Sequence, residues 1–344
     1  YAGTGSAHTE TLTGNSDLTS SDIVFIKNRD EADYGHVSNI IRAATKYVDT
    51  ARSQDEETDA NSVTSLGDLN TFGLGTGAGG WNDSGENFAS WIAYLDGTTG
   101  ATNSNGNVDA TVAANTTAGI SLGIYTPTTT TAARQVGHGL NAAPEVVMAW
   151  NLTDNEWSVL GCTALGWTKA LYQRATGPST SADWWNDLAP TYSGTASEQI
   201  INFGTQLGLK DKTFQFIAMH SVAGFSRHTS YTGNGAAGGP LVILDFKPSV
   251  VWIIRTNAAV VSQADITISP YNMVDDTYGD MWGNAAESSS TVELDILSNG
   301  IKIRLGGGNI NDTGTTYGVV AWAENPFGGH GGTFGGGVAP ATAR

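Results

Sequence analysis

The feature that most limits what this chain can fold into is an internal repeat. The stretch Gly224 to Thr256, GFSRHTSYTGNGAAGGPLVILDFKPSVVWIIRT, keeps the order of features found from Gly119 onward, GISLGIYTPTTTTAARQVGHGLNAAPEVVMAWN. Gly119, Ile120 and Ser121 match Gly224, Phe225 and Ser226, and Tyr125-Thr126 matches Tyr231-Thr232. Pro144, Val146 and Val147 then match Pro248, Val250 and Val251, with the prolines 104 residues apart. A period that long marks whole modules rather than solenoid turns. A third copy extends the pattern. DIVFIKNR (22–29) takes the place of EVVMAWNL and SVVWIIRT as an opening strand, and NFASWIAYL (87–95), TFQFIAMHS (213–221) and TYGVVAWAE (316–324) close the copies. Before each closing strand sits a shorter turn-plus-strand unit: LNTFGLG (69–75), IINFGTQLGL (200–209) and LSNGIKIRL (297–305).

Composition agrees with sheet. Charged residues are only 14%, Gly reaches 44, and the remaining polar positions are largely Thr, Ser and Asn, a mixture poor in helix formers and rich in turn residues. No stretch of ten or more residues carries a convincing amphipathic helix pattern. The predicted fold is therefore all-β: two to three related antiparallel β-sandwich-like modules with long Gly/Thr/Asn-rich loops.

The predicted organisation is an arm or linker over 1–20, which could pack on a neighbouring subunit, β-modules over 21–118, 119–223 and 224–327, and a Gly-rich tail over 328–344. The Gly/Thr/Asn/Ala stretch 97–119 reads as a surface excursion or an irregular hairpin and holds the first boundary. The acidic run Asp55 to Asp59 reads as a solvated loop, with a calcium loop as the functional alternative although no Gly-centred pattern accompanies it. The middle of the second module, WSVLGCTALGWTKALYQRA, reads as strands broken by Gly161 and Gly166, with a short helix as the competing reading. The first residue, Tyr1, is not Met, which reads as a processed or partial product.

A net charge of -17 argues against a nucleic-acid partner, since phosphate binding needs clustered Lys and Arg. Neither an anionic membrane nor a bilayer span is indicated. The single Cys162 excludes an intrachain disulfide and reads as a buried small hydrophobe. No cofactor is implied.

Several ordered motifs carry a resemblance. IKNRD (26–30), then His36-Val37 and IIRAATKYV; GFSRHTSYTGNG (224–235), then GPLVILDFKP, LSNGIKIR and AENPFGG (323–329); and a closing APATAR together span residues 22–344. With these motifs the chain resembles a family of tailed-phage virion proteins, of tail-fibre or appendage type and common in marine phages. The resemblance implies a structural or adhesive virion component, displayed on the particle and oligomeric. Ala43 stands where that family commonly has Gly, and the upstream domain often fused to its members is missing here.

Candidate chemistry is sparse. Gly119-Ile120-Ser121-Leu122-Gly123 matches the nucleophile-elbow spacing, but no helix pattern follows Ser121, and the second copy puts His228 where the last Gly stands. The histidines, His8, His36, His138, His220, His228 and His330, show no metal-site spacing, so no metal is expected. His220, His228 and Asp245 could form a hydrogen-bonded network, and Ser226, His228 and Asp245 a triad only by composition. Asp275, Asp276 and Asp280, beside Tyr271, Tyr278 and Trp282, form an acidic and aromatic loop of the kind a sugar or metal site uses. In ADWWNDL, Trp184 and Trp185 are adjacent. On a strand they face opposite sides, so one is left for a subunit contact, a receptor glycan or a packing role alone, and Trp81 in GGWNDSG invites the same argument.

The functional expectation is a non-enzymatic virion structural protein that assembles with itself, a trimer being one such form. It would also contact other virion proteins and display loops to a host-surface glycan. Alternatives are a polysaccharide-degrading tail appendage and a self-assembling extracellular filament or surface-layer subunit.

Overall fold

The computed structural model describes the chain except residues 12–21, 51–53, 69–70, 78, 96–98, 130–133, 155–157, 173–181, 193–198, 258–264, 269–276, 281–287, 290–293, 308–309 and 325–344, and describes only the backbone of 68, 172, 182–183, 265–268, 277–280 and 288–289. The first module holds β1 (His8–Thr11), β2 (Ile23–Asn28), β3 (His36–Asn39), β4 (Ala43–Asp49), β5 (Glu57–Thr58), β6 (Val63–Asp68), β7 (Thr71–Leu74) and β8 (Phe88–Ala93). The second holds β9 (Ala101–Asn103), β10 (Ala110–Asn115), β11 (Ile120–Tyr125), β12 (Arg134–Gly137), β13 (Val146–Asn151), β14 (Val159–Cys162), β15 (Leu171–Tyr172), the one-turn helix α1 (Ala182–Trp185), β16 (Ile200–Phe203) and β17 (Phe214–Met219). The third holds β18 (Ser226–Thr232), β19 (Leu241–Ile243), β20 (Pro248–Arg255), β21 (Asp265–Ile268), β22 (Thr277–Asp280), β23 (Ser288–Ser289), β24 (Leu294–Leu297), β25 (Gly300–Ile303) and β26 (Thr316–Ala323).

One strand order recurs. The closing strand lies beside the opening strand, and the next strands follow by antiparallel hairpins: β8-β2-β3-β4-β5, β17-β13-β14-β15 and β26-β20-β21-β22-β23. In the second and third modules another strand, β11 or β18, pairs with the far edge of the closing strand. A short sheet covers one face of each large sheet: β1-β7-β6, β12-β16 and β19-β25-β24. The fold is all-β, as the composition and the turn-rich pattern require.

Alternation of side chains along these strands builds four cores from six sheets. Val24 and Ile26 of β2, Val147 and Ala149 of β13, and Val251 and Ile253 of β20 face the short sheet of their own module. Their neighbours Ile23 and Phe25, Val146, Met148 and Trp150, and Trp252 and Ile254 point the other way, into one cluster shared by all three modules. Strands buried on both faces lose the polar-out positions of a one-sided sheet. That is why the opening and closing strands read as continuous apolar runs. Polar bonds cross the first seam: Asn39 Nδ2 donates to Gln215 Oε1 at 2.8 Å and Trp150 Nε1 to the Asp49 carbonyl at 3.1 Å.

A tyrosine device locks each sandwich at equivalent places. Tyr1 stacks on Phe88 at 5.1 Å, Tyr125 on Phe214 at 5.3 Å and Tyr231 on Tyr317 at 5.0 Å. Each hydroxyl donates, at 2.6 Å, to a carbonyl seven positions before its stacking partner: Trp81, Leu207 and Ile310. The ring pair contributes about 0.5–1.5 kcal/mol beyond its buried area, and the hydroxyl bond about 1 kcal/mol net.

Register anchored on these tyrosines revises the sequence alignment by one residue. Opposite equivalent positions of the closing strands lie Ile120 (against Met219) and Ser226 (against Trp322), so Ser121 and Ser226 are not counterparts. Of the stretch 1–20, residues 1–11 are described and belong to the first module: Tyr1 and Phe88 exchange backbone hydrogen bonds and β1 pairs with β7. Residues 101–115 form β9 and β10, which widen the second large sheet to seven strands. The acidic run is not a solvated loop throughout. Glu56 accepts from the buried Arg42 at 2.8 Å and pairs with Lys46, because a buried guanidinium needs a counter-charge.

Candidate functional site

Two of the three singled-out tryptophans are core residues. Trp81 is 1% exposed, stacks on His36 at 4.2 Å and meets Tyr47 edge-on at 4.7 Å. Trp185 is equally buried, perpendicular to Trp167 at 5.5 Å and tilted on Phe203. Neither offers a ring face to a ligand or subunit. The strand-parity argument fails for Trp184 and Trp185 because they lie in α1, where neighbours diverge by about 100° rather than 180°. Trp184 is half-buried against the second module's core. Asp275 and Asp276 lie outside the described residues, and Asp280 ends β22 with only its backbone described.

Ser121 has a structural place in the sheet, as the missing helix pattern after it suggests. Ser121 sits mid-strand between Ala114 and Ala218, fully buried, with no strand-to-helix turn after it. Asp245 is likewise not the partner of His228. Its carboxylate is exposed and lies 3.7 Å from Arg227.

A group of titratable side chains forms where the second module meets the third, around Glu145. This residue stands just before β13, and one carboxylate oxygen accepts both the Ser221 N–H and its hydroxyl at 2.6 Å. The Ser221 hydroxyl oxygen in turn accepts the His228 N–H at 2.8 Å. Burial raises the Glu145 carboxyl, and the adjacent His228 ring together with the Ser221 hydrogen bonds more than offsets it, bringing the pKa to about 2. His228 Nδ1 stands 3.4 Å from the carboxylate without a hydrogen-bond partner, and burial lowers the pKa of that ring, leaving it neutral near pH 7. Nearby, His220 Nε2 is 3.0 Å from Asn141 Oδ1 and His138 Nε2 is 3.0 Å from the Thr191 carbonyl. Burial brings His138 down to about 4.

This arrangement cannot activate a nucleophile. A triad needs the serine to give its proton to the histidine, with the acid behind the histidine. Here Ser221 donates to the acid. The first module shows what the carboxylate is for: Asp22, just before β2, accepts the Leu95 N–H at 2.7 Å, two residues past β8, as Glu145 accepts Ser221 two residues past β17. An acid before the opening strand clamps the end of the closing strand in both copies. That signal, Asp22 before IVFIKN and Glu145 before VVMAWN, was present in the sequence but pointed to no partner, because the clamped N–H lies over 70 residues away.

The remaining described histidines are also accounted for locally. His36 Nδ1 lies 2.7 Å from Asp49, and His8 Nε2 lies 2.7 Å from Glu10. Among the described residues no three His, Cys, Asp or Glu side chains converge as metal donors, and no helix is long and apolar enough to cross a membrane. Cys162 is a free, buried thiol raised to about 11 by burial.

No curated protein and no solved structure matches the chain. A family model described as a domain of unknown function, DUF7483, matches residues 1–326, and the chain belongs to that family.

Proposed function

We propose that this protein is a structural component of a virion appendage that assembles with copies of itself and presents its loops to a host surface. The observation that carries the assembly is an apolar pair on an edge strand. Leu241 and Ile243 are 52% and 44% exposed on the outer face of β19, which pairs only with β25 among the described residues. The corresponding positions are the exposed Thr9 and Thr11 on β1 and, on β12, Gln135, half-buried, and Gly137, buried. Two large hydrophobes on an open edge favour contact with another chain. The polar clusters described above support the non-enzymatic reading, because each is taken up in holding strands together. The virion placement rests on the resemblance carried by IKNRD, GFSRHTSYTGNG and AENPFGG. Arrayed copies would turn weak contacts with a surface into avid binding.

Light scattering on the purified chain tests assembly: an oligomer is expected, reduced to smaller species by Leu241→Lys with Ile243→Lys. Immunogold labelling of phage particles and binding of labelled protein to host cells test placement and adhesion. A monomer that labels no particle, or release of reducing sugar from host polysaccharide, would overturn the reading.

A further inference from the structure

The edge of β19 carries unpaired backbone groups as well as Leu241 and Ile243. The Pro240 carbonyl accepts the Ile303 N–H at 3.0 Å, and the Leu244 N–H donates to the Asn299 carbonyl at 2.9 Å. Alternate residues of an antiparallel strand turn their N–H and C=O to the same side. Val242 therefore faces β25, while the backbone groups of Leu241 and Ile243 face outward and find no partner among the described residues. The second module closes the same edge with its own chain. There His138 donates to the Gln199 carbonyl in the place of Leu244, which aligns Gln135 with Leu241. The Gln135 carbonyl accepts the Asn107 and Val108 N–H groups at 3.0 and 3.1 Å, and its N–H donates to Asn107 Oδ1 at 2.8 Å. An edge left open with large hydrophobes on it is a template for another strand.

We propose that β19 pairs with β19 of a second copy of this chain, antiparallel and about a twofold axis at Val242. The pairing rests on the assembly proposed above and specifies its contact. The strand is self-complementary. Placing Leu241 opposite Ile243 of the second copy places Ile243 opposite its Leu241, and these are the residues whose N–H and C=O face outward. Each exchanges both backbone bonds with its opposite number, and two Leu-Ile pairs lie side by side on the outer face, where cross-strand pairs stabilise a sheet. The short sheets then join, β24-β25-β19 running on into β19-β25-β24 of the second copy. The charges at the strand ends agree with this register, which sets Gly239 against Asp245 of the second copy. Lys302 Nζ donates to the Gly238 carbonyl at 3.2 Å and to the Gly239 carbonyl, with no carboxylate partner among the described residues. The Asp245 carboxylate is exposed and lies 3.7 Å from Arg227, beyond hydrogen-bond reach. Each copy thus brings an unpaired ammonium to the other's carboxylate. Parallel pairing would set Lys302 against Lys302 instead. A contact that is the same on both copies closes after two.

Light scattering and amide hydrogen exchange on the full chain over a range of concentrations test the pairing. A dimer is expected, in which the Leu241 and Ile243 amides slow by about tenfold or more from dilute to concentrated protein. The Leu244 amide, already bonded to Asn299, should change little. Leu241→Cys mixed with Ile243→Cys should form a disulfide-linked dimer faster than either variant alone, the native thiol of Cys162 being buried. Asp245→Lys should weaken the dimer about tenfold, because the like charges meet at both ends of the contact, and adding Lys302→Asp should restore it. Three results would overturn the pairing and leave assembly standing. One is a trimer or larger species dispersed by Leu241→Lys with Ile243→Lys. Another is a dimer whose Leu241 and Ile243 amides do not slow. The third is Leu241→Cys linking to itself faster than to Ile243→Cys, the mark of a parallel contact. A chain that stays monomeric at every concentration would overturn both.

Discussion

The first and third modules hold their tyrosine loops with a buried amide, and the second does so with a buried guanidinium. In the first, Asn82 Nδ2 donates to the Ser6 and Gly75 carbonyls at 2.8 Å while its Oδ1 accepts the Thr4 N–H. In the third, Asn311 Nδ2 donates to Leu305 and Ala236 and its Oδ1 accepts the Asn234 N–H. The loops match closely. Gly5 donates to the Asn82 carbonyl as Gly235 does to Asn311, with φ of 65° and 69°. In the second module the equivalent residue is Gly208, and Arg134 of β12 takes over, Nε donating to the Gly208 carbonyl at 2.9 Å and Nη2 to Thr129 at 3.1 Å. Gly208 is needed there, since its Cβ would meet Arg134 Cγ at 2.4 Å. What recurs is the need to satisfy buried carbonyls beside the tyrosine; the side chain that does it is free to change.

The largest expected effect comes from removing the guanidinium. Arg134→Met should cost about 2–5 kcal/mol, because the buried Gly208 carbonyl and the partly buried Thr129 carbonyl lose their donor and methionine offers none. Asn311→Ala should cost about 2–4 kcal/mol on the same reasoning. Denaturant midpoints measure both. If either variant is as stable as the parent, the two devices are not equivalent.

Acid should separate the two chemistries next. The amides of Asn82 and Asn311 do not titrate, whereas His138, just after β12, has its pKa brought down to about 4 by burial. A histidine whose folded pKa lies below its unfolded value binds its proton first in the unfolded chain, so stability is intact above about pH 6.5 and declines until the folded pKa is reached. His138 alone should then cost on the order of 3 kcal/mol by pH 4, and His228 adds in the same direction. Glu145 acts lower, its contribution being lost as pH falls from about 4.5 toward 2. Hydrogen exchange on lowering the pH should show β12 and β16 opening before β19 and β25. A uniform loss across the modules would break the comparison.

A smaller effect tests the shared part of the device. Tyr125→Phe and Tyr231→Phe each remove one hydroxyl donor and leave the ring stack in place, so both should cost about 1–2 kcal/mol and by similar amounts. Unequal costs would show that the amide and the guanidinium shield the carbonyl differently.

Where a strand is buried on both faces, its sequence says so, and β2, β13, β20 and their closing partners stand out for that reason. The devices that fix those strands do not. YAGTG (1–5) matches YTGNG (231–235), and WND (81–83) matches IND (310–312), yet the first five residues have no apolar period and their partners lie nearly 80 positions on. Trp185 reads as a surface candidate because strand parity would leave one of two adjacent tryptophans outside the core, and Trp81 is drawn in by the same argument. Only the ring contacts made by distant residues, His36 and Phe203, show that both are buried. The order of strands in a sheet is hidden for the same reason: β11 meets β17 about 90 residues later.

The smallest expected effect is a gain, and it belongs to the first module. Among the described residues five other than glycine have positive φ: Ala43, Asn186, Asp187, Asp211 and Asp245. Asn and Asp tolerate that region because their short polar side chains can bond the local backbone. Ala43, at φ 93°, has no such compensation. It opens β4 opposite Asn39, where the ladder with β3 shifts register, so the turn that produces the shift imposes the angle. Ala43→Gly removes a clash between Cβ and the backbone while restoring freedom to the unfolded chain, and the first term is larger where φ is positive. A net gain of about 1 kcal/mol is expected, seen as a higher denaturant midpoint with an unchanged slope. The equivalent exchange at Asn186, Asp211 or Asp245 should gain less. Should Ala43→Gly instead destabilise the chain, the register shift between β3 and β4 would have to be held by the Ala43 methyl group rather than endured by it.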